Sequence, residues 1–114
     1  MKLTKENIFK GKNILGRDAE YFEEILQSKN ARIQRIVSSG QTSDWYDQDE
    51  DEWVLLLSGN ADLEFDNNLQ VKMGEGDFIF ISAHQRHKVI LTSTDPPCVW
   101  LAVFGQFQIN SAHE

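Results

Sequence analysis

Two stretches of this chain gather side chains able to do chemistry. The first, from Gly40 to Gly59, holds Trp45, Tyr46 and Gln48, and an acidic run from Asp47 to Glu52 with five carboxylates in six positions. The second, from Gly76 to His87, ends in two histidines, His84 and His87. Carboxylate and imidazole are the side chains that move protons near neutrality or bind divalent metals. Five carboxylates packed together repel, so the acidic run calls for solvent or a cation. It is not an EF-hand loop, because the required Gly and the distal Glu are missing. Each residue also has an ordinary use. His87 can be a loop-end histidine bonded to backbone, Glu52 a solvated charge, Gln48 a plain polar residue, Tyr46 an amphipathic wall residue and His84 a surface loop histidine. No Ser-His-Asp signature, P-loop or dinucleotide-binding glycine turn is present. The single cysteine, Cys98, rules out an intrachain disulfide and a thiolate metal cluster, and reads as a buried or partly buried thiol.

The elements that must position these residues change character along the chain. Asp18 is placed to cap a short helix with Ala19, Phe22, Ile25 and Leu26 on its apolar face and Glu20, Glu23 and Glu24 opposite. From Arg32 onward the period falls to two. Residues 32–37, 53–57, 61–65, 69–73, 78–81, 87–91 and 98–104 read as short strands, separated by turn-forming residues such as Ser58-Gly59-Asn60, Asp66-Asn67-Asn68 and Gly74-Glu75-Gly76-Asp77. Seven or more short strands at this spacing predict an all-β sandwich or barrel. Trp53, Trp100, Phe78, Phe80 and Phe104 read mainly as core, whereas Trp45, among polar neighbours, is the aromatic ring best placed to touch a ligand.

The chain resembles a small single-domain cupin. Its first motif is a Gly, five residues, His-x-His, three or four residues, Glu, six residues and Gly. Gly40, Glu52 and Gly59 stand at that spacing, with Tyr46 and Gln48 at the histidine positions. In the second motif Gly76 and His87 are in register, while Ser82, His84 and Leu91 take the Pro, Gly and Asn positions. The resemblance implies an antiparallel jelly-roll barrel over about residues 32–104. An N-terminal arm and helix would occupy residues 1–30 and a polar tail residues 105–114, all in one domain. It also implies a divalent metal (iron, zinc, nickel or manganese) held by Glu52 and His87 with help from Gln48 and Tyr46, weaker than a three-histidine site. A phenol binds well only as phenolate, against a pKa of about 10. If Tyr46, Gln48 and Glu52 face inward, then Asp47, Asp49 and Asp51 point outward near the mouth, where they could guide a cationic group inward.

Three functions follow as expectations. The first is a protein that binds a small-molecule ligand, with a metal inside the barrel. The second is a metal-free isomerase or lyase in which Glu52 and His87 exchange protons with Tyr46 as donor. The third is a non-catalytic metabolite sensor or interaction domain with a degenerate metal site. No nucleotide or flavin is expected. Eleven Lys and Arg against eighteen Asp and Glu give a net charge of −7, which disfavours nucleic acid and anionic membranes. With no apolar signal at residues 1–10 and no long apolar run, a cytoplasmic protein is expected. Unpaired sheet edges and the resemblance together predict a homodimer.

Overall fold

The computed structural model describes residues 3–10 and 19–107. Those residues form eight strands and no helix: β1 (Tyr21–Gln27), β2 (Ala31–Ser38), β3 (Asp51–Ser58), β4 (Ala61–Phe65), β5 (Gln70–Met73), β6 (Phe78–Ile81), β7 (His87–Thr92) and β8 (Cys98–Gly105). A five-stranded sheet in the order β1-β2-β8-β3-β6 faces a three-stranded sheet in the order β5-β4-β7, and every pairing is antiparallel. The fold is the all-β barrel expected from residue 32 onward.

Alternation explains the core. Val54 and Leu56 of β3, Leu63 and Phe65 of β4, Met73, Ile81, and Trp100, Ala102 and Phe104 of β8 point between the sheets and are buried. The register seats Glu52 opposite Phe104 and Ile81, and His87 opposite Phe65. One end of the barrel, where β3 turns into β4 and β8 begins, is closed by Leu56, Ala61 and Cys98. Gly59 makes that turn at φ +90, where an added Cβ would lie 2.9 Å from the Cys98 Cα and the Pro97 carbonyl oxygen. The Cys98 thiol is buried and donates to the Asn60 carbonyl at 3.1 Å.

The helix expected after Asp18 does not form. Asp18 lies outside the described residues, and Tyr21–Gln27 is instead the edge strand β1. The supposed helical stripe has no surface to pack on: Phe22, Ile25 and Leu26 remain 48%, 47% and 57% exposed. The free edge of β2 offers a full row of backbone partners instead, and a register shift between Glu24 and Leu26 disguises the period of two. Beneath β1, on the outer face of the sheet, Arg35 is buried. It pairs with Glu23 and donates to the carbonyls of Ile8 and Lys10, which ties the N-terminal segment down.

Candidate functional site

Between the sheets, at the end opposite Gly59, lies a cavity of about 330 Å³. Its apolar floor includes Val54, Leu63, Ile81 and Trp100, and its polar wall includes Glu20, Arg32, Gln34, Tyr46, Gln48, Glu52 and His87. Glu52 comes from the large sheet and His87 from the small one. The barrel therefore brings together all four residues carried over from the motifs.

The imidazole of His87 stands between two rings, with centroids 5.4 Å from Tyr46 and 6.0 Å from Phe65. Tyr46 is fixed there by a bridge in which its N–H donates to the His87 carbonyl at 2.7 Å and its carbonyl accepts from the His87 N–H at 3.2 Å. Nδ1 of His87 lies 2.9 Å from the Gln85 carbonyl, which only accepts, so Nδ1 carries a proton, and in the neutral ring Nε2 presents the lone pair. Nε2 is 3.8 Å from Oε1 of Glu52, too far for a hydrogen bond and close enough for one ligand atom to touch both. Both side chains are buried, at 6% and 10% exposure.

Burial pushes the Glu52 carboxyl above its ordinary value. The nearby His87, a 3.1 Å hydrogen bond donated by Gln48 Nε2, and the charge of Arg32 oppose this without cancelling it. Burial also raises the Tyr46 phenol, reinforced by the charges of Glu20 and Glu52, while a hydrogen bond with Ser43 opposes the rise. Tyr46 is therefore held as the neutral phenol, the poorer form for metal ligation. Gln48 spends its N–H groups on Glu52 and on the Glu50 carbonyl. Among the described residues no three His, Cys, Asp or Glu side chains group as a metal-binding set. One imidazole and one carboxylate, beside a neutral phenol and an amide turned donor-first, do not fit a protein-held transition metal.

The alternate positions of the same segment face away from the cavity. Trp45 does not line it: the ring is 37% exposed, with Arg86 and Lys88 over its faces at 4.9 and 4.6 Å. The alternation that turns Tyr46 inward turns its neighbour out, which corrects the ligand contact expected of Trp45. His84 is the surface histidine foreseen, at φ +65, with Nδ1 2.7 Å from Asp47 and Nε2 3.4 Å from Asp49. The Asp47 hydrogen bond raises its pKa. Asp51 is a bracket, accepting from the backbone N–H of Ala83 and of Phe107.

The sequence reading missed the lip of the cavity, formed by Glu20, Phe22, Arg32 and Gln34. Arg32 stacks over Phe104 at 4.0 Å and binds Glu50 at 2.8 Å and Glu24 at 3.5 Å. The available signal was the alternation of Arg32, Gln34 and Ile36, which shows that polar residues share the inner face of β2.

The model of the cupin domain matches residues 33–104, most of the chain. The chain belongs to the cupin family. This cupin is similar over 92% of its length to the whole of a protein from Ralstonia eutropha JMP134 provisionally named a mannose-6-phosphate isomerase, at 37% identity and a TM-score of 0.85. A cupin superfamily protein from Desulfitobacterium hafniense DCB-2 is 18% identical with a TM-score of 0.68, covering 79% of this chain and 80% of that one. KdgF from Halomonas sp. is 11% identical with the same TM-score, covering 81% and 84%. These last two likenesses are of fold alone. No curated protein matches the chain.

Proposed function

We propose that this cupin takes a small hydroxy-carbonyl compound into the barrel and that Glu52 and His87 move a proton on it without a metal. The observation that carries the reading is the buried pair itself: a carboxyl of raised pKa facing an imidazole lone pair across 3.8 Å, at the wall of a cavity. His87 Nε2 can take a proton from the carbon beside a carbonyl while the Glu52 carboxyl gives one to the carbonyl oxygen. His87 then gives its proton to the former carbonyl carbon while Glu52 takes the proton of the neighbouring hydroxyl, which becomes the new carbonyl and completes an isomerisation. A cavity of about 330 Å³ stands at the small end of ligand sites and suits a single small metabolite. The name of the relative from Ralstonia eutropha, an isomerase of a sugar phosphate, supports the reaction class.

The test is proton exchange. In D₂O, the wild-type protein is expected to place deuterium beside the carbonyl of a small hydroxyaldehyde such as glyceraldehyde, read by NMR. Glu52→Gln and His87→Ala are expected to lose the exchange, and a chelator to leave it unchanged. Chelator-sensitive exchange restored by added metal would show that the metal-free reading is wrong. We also propose a cytoplasmic homodimer, supported by the exposed Phe78 on the edge strand β6; light scattering giving the mass of one chain, 13.1 kDa, would reject the dimer. Among the described residues no helix is long and apolar enough to cross a membrane.

A further inference from the structure

We infer that the molecule held in this pocket carries an ammonium group, received by Glu20 and by the aromatic faces of the cavity. The inference rests on the pocket proposed above and sharpens its ligand class. It follows from counting which lining atoms are still free to bond. The nitrogen donors at the lip are largely committed within the protein, and the phenol O–H of Tyr46 is the donor that still faces the space. Arg32 gives its Nε–H and one terminal N–H to Glu50, leans another toward Glu24, and lays its flat face on Phe104. Gln34 donates to Glu24 at 2.8 Å, and Gln48 to Glu52 and the Glu50 carbonyl.

What else faces the cavity unspent is a set of acceptors. His87, with its side chain only 6% exposed, aims an Nε2 lone pair inward and has no hydrogen bond there. Gln48 keeps its amide oxygen. Glu20 takes one bond, from the Ser38 hydroxyl at 2.5 Å, and among the described residues has no cationic partner. A ligand that satisfies acceptors must bring donors, and an ammonium brings three donors and no acceptor.

The electrostatics agree. Glu20 and Glu52 line the cavity, while the positive charge of Arg32 is answered by Glu50 and Glu24. Phe22, Tyr46 and Trp100 line the same space, and the faces of such rings attract cations. A phosphate or carboxylate would set its charge beside Glu20, with Arg32, the arginine among the described lining residues, already paired. Glu20 takes the ammonium, which leaves Glu52 and His87 for the proton transfer.

The experiment compares three probes by isothermal titration of the full chain: D-glucosamine, D-glucose and D-glucose 6-phosphate, with shifts of the Trp100 indole NMR signal locating the site. Glucosamine is expected to bind at least tenfold tighter than glucose, and the phosphate most weakly. Glu20→Gln, which can still accept from Ser38, is expected to erase the tenfold preference. Raising the salt should weaken glucosamine alone, a check that needs no variant. Glucose binding as tightly as glucosamine, or the phosphate binding tightest, overturns the ammonium inference while the pocket stands. If no probe moves the Trp100 signal, the inference and the pocket reading fall together.

Discussion

At the end of the barrel where β3 runs into β4, the strands close on Leu56, Ala61, Thr92 and Cys98, all buried, around a turn that tolerates no side chain at Gly59. At the other end the same strands carry Glu52, Phe65, His87 and Phe104, and a cavity opens between them. β3 contributes Leu56 to the first and Glu52 to the second, four residues apart on one face. The difference teaches that stability and chemistry are separated along the strands rather than between them. Changes at the closed end should cost the fold, and changes at the open end should cost binding.

The largest effect is expected at the closed end. Gly59→Val combines a positive φ with a Cβ at 2.9 Å from backbone atoms. It should cost about 3 kcal/mol and lower the melting temperature by roughly 10 °C. An unchanged thermal melt would mean that this end is not the rigid one.

His87→Ala tests the open end. It removes a ring from between Tyr46 and Phe65 but borders existing space, so about 1–2 kcal/mol should be lost while ligand binding falls by an order of magnitude or more. A loss of stability matching that of Gly59→Val would erase the contrast between the ends.

Glu52→Gln sharpens the comparison through pH. A carboxyl whose pKa is raised on folding holds its proton more tightly in the native state. Between the ordinary carboxyl value and the raised one, the native state binds more protons, so stability falls as pH rises through that window. The wild type should lose this increment and Glu52→Gln should not. Parallel pH–melting curves for the two would show that Glu52 titrates as though unburied.

The smallest effect belongs to a residue that faces neither interior. Trp45→Ala gives up exposed contacts with Arg86 and Lys88, on the order of 0.5–1 kcal/mol, and should leave ligand affinity unchanged. A tenfold loss of affinity would return Trp45 to the pocket.

The closed end and the strands were legible because β4 and β5 alternate apolar and polar residues with a period of two, while β3, β6 and β8 are apolar runs too short for helices and bounded by turn residues. The convergence of Tyr46, Gln48, Glu52 and His87 in one cavity followed from motif spacing. The lip was not legible. Phe22 and Leu26 stand four apart, as on a helix, and nothing local reveals that a neighbouring strand is waiting with an unpaired edge. Glu20 was thereby assigned to the solvent side of a helix when it lines the cavity. The donor direction of Gln48 was equally hidden, since it depends on Glu52 lying within reach.

One consequence concerns how binding would be felt through the backbone. β1 is laddered only to β2, whereas β8 is paired on both sides. The amides of β1 should therefore open and exchange with solvent at a lower free energy than those of β8. Glu20, just before β1, and Phe22 within it both line the cavity, so a molecule held there fastens an edge strand of the barrel. Occupancy of the pocket should then be readable far from the reacting atoms, as a slowing of deuterium uptake along residues 21–27.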